Sequence, residues 1–227
     1  MVPTGSFGAG VNAVEGLFAK LKLLDSRNQH VVYSRGLPGA VRDLTYVKEY
    51  QCYLDESLFD FRLTDRSILQ FKRFDEQEIS YCYYQSPFDV PSYRDFLAEQ
   101  FGPDPEAIEA AGDSFADDYS LAIDTARLRK NLLVVRYDFD PVLYEHGVHP
   151  AAHIHFGQGN EIRISVRRLM EPMSFALFII RQLYPESWRR FLEWNDAQIV
   201  CRAVRENLEM VEEEYYRTWD KLQLVLE

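Results

Sequence analysis

The sequence predicts an α+β fold: a mostly antiparallel, curved sheet of about six to eight strands packed against helices, with a helical C-terminal part from 171 to 227. Three observations lead there. Between Val31 and Gln85 the chain is dense in β-branched and aromatic residues and is broken only by short polar links; consecutive strands on short links must run antiparallel. Two later stretches, "LLVVRYDFD" and "AAHIHFGQGNEIRISVRR", alternate apolar with polar residues, the period of a half-buried strand. The segments at either end of the chain carry apolar residues at helical spacing instead.

Taken in order, Val14, Leu17, Phe18, Leu21 and Leu24 predict an amphipathic helix over 11–24 that caps the sheet. Strands are expected at "VVYSR", "LTYVKEYQCYL", "SLFDFRL", "SILQFKRF" and "ISYCYYQ", with "RLTDRS" as the polar centre of a hairpin. Pro91 and Ser92 start a helix through Phe101, and "SFADDYSLAIDTARLRK" reads as another, with an acidic, mobile excursion between them. The strand 132–140 follows, then the loop "PVLYEHGVHP" and the two histidine- and arginine-bearing strands. Glu171 and Pro172 start the next helix, since Pro is favoured at the first helical position. "MSFALFIIRQLY" is apolar on nearly every side, the mark of a buried helix. Pro185 punctuates it before one or two more helices, in which Trp188, Phe191 and Leu192 are expected to pack into the core.

With 227 residues and 47% hydrophobic content the chain can bury a large core, and without a linker tract or fixed-period repeat it is expected to form a single domain over 1–227. A net charge of −11 argues against broad attraction to a nucleic-acid backbone. A local basic cleft remains open to it, because Arg163, Arg167 and Arg168 crowd beside the histidines. The acidic runs at 104–118 and 206–214 read as solvated helix faces. Cys52, Cys82 and Cys201 lack metal-ribbon spacing and are odd in number, which fits a reducing cytoplasm. The N-terminus has no secretory signature and the longest apolar run, "FALFII", is too short to span a bilayer. No Walker loop, GxSxG or GxGxxG stands in a strand-to-helix setting.

The histidine strand carries the chemistry. His153 and His155 share one face and Ile154 and Phe156 the other; in the next strand Arg163, Ser165 and Arg167 oppose Ile162, Ile164 and Val166. Both apolar faces must reach the same core, so the register is constrained by parity. A three-residue loop at 158–160, with Gly159 or Asn160 in the left-handed region, sets His155 across from Arg163 and His153 across from Ser165. If the strand 132–140 pairs alongside, Arg136 and Asp138 join that face.

Histidines can exchange protons near neutrality, and arginine forks match phosphate oxygens. The first reading is therefore metal-independent phosphodiester cleavage, such as attack by an RNA 2′-hydroxyl, or binding of an anionic ligand, with no cofactor. His153 and His155 divide base and acid duties, Arg136 and Arg163 hold the phosphate, and Asp138 orients a histidine or arginine. Tyr137, Tyr144 and Phe156 are candidates for base stacking. An open concave pocket around both imidazoles is the structural expectation of that reading, and burial of both under a helix is its contrary. A metal ion held by the H-x-H pair with Asp138 or Glu161 ranks behind it, because two arginines oppose a cation. The bland alternative is a satisfied polar face in a non-catalytic subunit that binds a partner protein.

The pattern "VVRYDFDP…HPAAHIHFG…IRISVRRLMEPMSFALFIIRQLYP" resembles a bacterial family known as Domain of Unknown Function 2290. The likeness runs from Leu58 onward and is most specific from Arg136 to Tyr184, and it brings no established activity. The H-x-H strand alone is also similar to that of TumE-type toxins. That local likeness implies an RNA-directed effector of a defence or toxin–antitoxin module.

Overall fold

The computed structural model describes residues 4–41, 43–75, 78–102, 104–158, 162–222 and 225–226. Its centre is one sheet in which neighbours in sequence are neighbours in space: β1 (Leu24–Arg27), β2 (Phe61–Leu63), β3 (Ile68–Arg73), β4 (Ile79–Tyr84), β5 (Val134–Phe139), β6 (Ala152–Phe156), β7 (Ile162–Val166) and the two-residue β8 (Val225–Leu226). Every pairing is antiparallel except β7 with β8. The β2–β3 link is the expected hairpin, with Arg66 at φ +68° and Asp65 accepting from the Ser67 amide at 3.0 Å.

Alternation divides the side chains between two cores. On one face Phe61, Leu63, Leu69, Phe71, Tyr81, Tyr83, Val135, Tyr137 and Ile154 meet α1 (Thr4–Lys20) and α7 (Pro172–Leu183). Phe175 of α7 is fully buried there, edge-on to Phe71 at 6.1 Å and 5.7 Å from Tyr81. Glu171 and Ser174 close a reciprocal cap at the start of α7 with Pro172 in its first turn, as the Glu-Pro start predicts. The helices α8 (Pro185–Leu192) and α9 (Ala197–Asn207) complete this side. Trp188 and Phe191 pack as expected, whereas Leu192 is 55% exposed, because it falls on the outer side of a single two-turn helix.

On the other face lies a smaller core, in which Ile68, Cys82, Tyr84 and Val134 meet Tyr46, Tyr50 and Tyr53. Those tyrosines belong to α3 (Tyr46–Asp55), a helix where aromatic content predicts a strand. Their i, i+4, i+7 spacing places all three on one buried stripe, and that packing outweighs the β-propensity of the individual residues. The stretch "VVYSR" likewise forms no strand. It runs as irregular chain, with Val32 82% exposed and Tyr33 anchored by its hydroxyl to Asp60 at 2.6 Å. The short helix α2 (Leu37–Val41) follows it.

The α4 helix (Tyr93–Phe101) starts on Ser92, as expected. The acidic segment after it is ordered into α5 (Pro105–Ala111), with Asp104 capping Glu106 and Pro105 in the first turn; its charge fits a solvated face rather than a mobile excursion. The following helix is shorter than expected, α6 (Ala116–Asp124). No helix among the described residues is long and apolar enough to cross a membrane.

Candidate metal centre

Pairing places Asp138 across from His153 and Arg136 across from His155, and His153 across from Ser165 with His155 across from Arg163. This is the register the parity condition requires. The β6–β7 loop residues Gly159 and Asn160, and Glu161 beside them, lie outside the described residues. One face of three strands thus carries Arg136, Asp138, His153, His155, Arg163 and Ser165, and β4 extends it with Ser80, paired to Asp138, and Cys82, paired to Arg136.

Both imidazoles are only 2% exposed, so among the described residues they do not open onto a concave pocket. They pack against each other and against His149 and Pro150 at the end of the loop 141–150, a loop tied down by Tyr144 donating to Asp220 at 2.7 Å. Gly147, at φ +72°, presses its backbone against the Trp219 side chain and donates to Asp220 at 3.2 Å. A Cβ there would come within 2.9 Å of Trp219, so glycine is required. At the end of that loop the Pro150 carbonyl lies 2.8 Å from His153 Nδ1. A carbonyl can only accept, so Nδ1 carries the proton and Nε2 presents a lone pair.

That lone pair faces His155 Nε2 at 2.9 Å. His155 Nε2 also lies 3.4 Å from Asp138 Oδ2, and His153 Nε2 lies 4.0 Å from the same oxygen. Three donor atoms therefore converge on one point, all within 4.8 Å of one another. Without an ion the arrangement needs a proton there, on His155 Nε2. His155 Nδ1 is then left bare, and it is buried without a hydrogen-bond partner, as is His149 Nδ1 nearby. The His149 ring stands edge-on to His153 at 4.9 Å.

Electrostatics hold the Asp138 carboxylate ionised and the His153 imidazole neutral. Burial alone would raise Asp138, but hydrogen bonds from His155 and Ser80 and the charge of Arg136 outweigh it and keep the group well below the usual carboxylate range. Arg136 Nε donates to Asp138 Oδ2 at 2.7 Å. Burial pulls His153 down to about 4, against the opposing pull of Asp138. His149 is lowered by its own burial and by Arg163.

Of the residues expected at the site, His153, His155, Asp138 and Arg136 are in contact. Arg163 stands on the same rung as His155 but is exposed, and its side chain makes no hydrogen bond or ion pair among the described residues. An in-line displacement at phosphorus sets attacking and leaving oxygens on opposite sides, so a separate base and acid must flank the phosphate. Two Nε2 atoms that face each other across a hydrogen bond act instead as one unit. The aromatic platform is not formed: Tyr137 is fully buried on the opposite face and accepts from the Met170 amide, Tyr144 is tied to Asp220, and Phe156 packs against the apolar core. Sequence reasoning missed Ser80 and the Pro150 carbonyl. Carrying the parity argument one strand further would have found the first; the second depends on how the loop folds.

No curated protein and no solved structure matches the chain. A family model described as an uncharacterized conserved protein, DUF2290, matches residues 19–219, which covers nearly all of the 227 residues and both faces of the sheet. The chain belongs to the DUF2290 family.

Proposed function

We propose that this protein is a metal-dependent enzyme acting on an anionic substrate, with Asp138, His153 and His155 as the ligands of a divalent ion and an RNA phosphodiester as the substrate to test first. The observation that carries it is the convergence of two imidazole nitrogens and one carboxylate oxygen, at separations of 2.9, 3.4 and 4.0 Å. Ligands about 2.0–2.1 Å from a tetrahedral ion stand about 3.3 Å apart, in the middle of that range. Burial argues against a solvent-accessible acid–base pair but suits metal ligands, which must be neutral histidines and an ionised carboxylate.

Each residue has a definite part. Pro150 fixes the His153 ring through Nδ1, the outer-shell contact that metal-bound histidines commonly make. His155 can present Nε2 by moving its proton to the unpartnered Nδ1. Three protein ligands leave a position for water, the arrangement of catalytic rather than structural zinc; a bound ion would there lower the water's pKa and supply a nucleophile. Arg136 weakens cation binding through its own charge, and with Arg163 it favours a negatively charged substrate at the same place. The setting in a defence or toxin–antitoxin module rests on the TumE-like histidine strand alone.

A second reading, a subunit that binds a partner protein, is favoured by the exposed apolar residues Val142, Leu143, Val148, Trp219 and Leu222 on the loop 141–149 and the segment touching it, since clustered exposed apolar surface marks interaction sites. Cobalt titration with visible spectroscopy, metal analysis of the purified protein, and RNA integrity on expression separate the two. Wild type is expected to bind Co²⁺ with d–d bands and to cleave RNA in a chelator-sensitive way, while His153→Ala and His155→Ala lose about 100-fold in affinity. A wild type that takes up no ion, or variants that bind it equally well, would overturn the metal centre. Intact RNA with metal-loaded wild type would remove RNA as substrate.

A further inference from the structure

The rung that carries Asp138 and His153 does not end at β5. Asp138 pairs with Ser80, and Ser80 pairs with Lys72 of β3. Directly paired residues of antiparallel strands project to one face, so Lys72 stands on the polar face two strands from Asp138, about 9.5 Å away along the rung. Between them stands only the short side chain of Ser80, which is half-buried. The Asp138 and Arg136 side chains are 19% and 28% exposed. Solvent therefore reaches this row at Ser80 and the side chains beside it.

Lys72 is 7% exposed. Its amine lies 5.3 Å from the Tyr33 ring centroid and 6.0 Å from that of Tyr53, and among the described residues it makes no hydrogen bond or ion pair. The carboxylates around it are taken by other donors. Glu49 accepts from Tyr53 and Gln158, Asp60 from Tyr33 and the Phe71 amide, and Asp138 from Arg136. An ammonium has three donors and no acceptor, and buried charges are ordinarily paired. Two ring faces recover only part of what is lost. Burial accordingly pushes the amine down and the charge of Arg136 adds to it, against the pull of Asp138 and Glu49.

We infer that Lys72 is a substrate-binding residue, which holds a phosphate group of the substrate over Ser80, between its own amine and the Arg136 side of the metal centre. The inference deepens the proposed function and rests on that reading for its placement: it names a phosphate ester as the substrate class. A tetrahedral oxyanion has acceptors on opposite sides, so one phosphate can take hydrogen bonds from Lys72 while another of its oxygens faces the centre. A lysine serves there as a point charge rather than a planar fork.

The test is calorimetric titration of inorganic phosphate, with acetate as control, into wild type, Lys72→Met, Lys72→Gln and Lys72→Arg, beside Co²⁺ titration of the same proteins. Lys72→Met and Lys72→Gln are expected to bind phosphate about tenfold or more weakly and Lys72→Arg within about threefold of wild type, with Co²⁺ affinity unchanged. Lys72→Met should also raise the melting temperature, since replacing an unpaired buried charge by an apolar chain is stabilising; a merely structural lysine would lower it. Phosphate affinity unchanged in both neutral variants, no phosphate binding by wild type, or acetate bound as tightly as phosphate would overturn the inference. Loss of Co²⁺ binding in wild type with Lys72-dependent phosphate binding intact would remove the metal centre and leave this subsite standing.

Discussion

The two faces of the sheet are built by the same strands in alternation, yet beside a smaller apolar core the α3 face also buries polar and charged groups. On the α1/α7 face, aromatic rings and aliphatic chains interlock, with Phe18, Phe61, Tyr81, Tyr137 and Phe175 at 1% exposure or less. On the α3 face, the same strands bury Gln70, Lys72, His153, His155 and Ser165, groups that lose water and regain it only where a partner is found. The first face is what folding requires. The second carries charges and bare nitrogens that an apolar sequence of equal volume would avoid, a cost that the proposed metal and phosphate sites would account for.

Truncating the apolar face should produce the largest effect. Phe175→Ala is expected to destabilise by about 3–5 kcal/mol, read as a lower urea midpoint at unchanged slope, because close-packed rings leave a cavity that cannot collapse. If it costs less than about 1 kcal/mol, the apolar face is not the principal source of stability and the contrast between faces fails.

How far the two faces were legible in the sequence follows from the same physics. Strand alternation is a rigid rule, so the pairings of His155 with Arg163 and His153 with Ser165 could be reached from parity alone. The cover of the polar face could not. The α3 helix hides behind three tyrosines whose composition favours a strand and whose spacing favours a helix, and only packing decides between them. The segment 31–35 has the residues of a strand but no neighbour to pair with. The convergence of the two Nε2 atoms on Asp138 depends on side-chain rotation and on the Pro150 carbonyl, neither of which leaves a mark in residue order. Asp104-Pro105, by contrast, is a helix start that was readable and was masked by the surrounding acidity.

The polar face should also contribute to the pH dependence of stability, Asp60 and His153 with opposite signs. Asp60, 8% exposed, is raised to about 6 by burial, against hydrogen bonds from Tyr33 and the Phe71 amide and the charges of Arg27 and Lys72. Folded protein therefore keeps a proton that the unfolded chain releases, and this contribution falls as pH rises from about 4 to about 6. His153, lowered to about 4, stays neutral while the unfolded chain protonates, so its contribution rises with pH between about 4 and 6.5. In chelator-treated protein the two oppose each other across that window, and the lowered His149 adds to the rising limb. Asp60→Asn should uncover the rising limb and gain about 2 kcal/mol at pH 7. Urea denaturation between pH 4 and 7 checks it, and identical profiles for the variant and wild type would show that Asp60 does not titrate in the window.

The smallest expected effect on stability tests whether the polar face is functional as far as its edge. Arg163 is exposed, on the rung of His155, and unpaired among the described residues. Removing its charge takes away no buried contact, so Arg163→Ala should leave the urea midpoint within about 0.5 kcal/mol of wild type. An exposed arginine beside an anion site still contributes to capture of the ligand, and that contribution weakens with salt. Phosphate affinity in Arg163→Ala is accordingly expected to fall several-fold at low ionic strength and to converge on wild type as salt is raised. A loss of stability without a change in phosphate binding would make Arg163 part of the scaffold and draw the boundary of the site at His155.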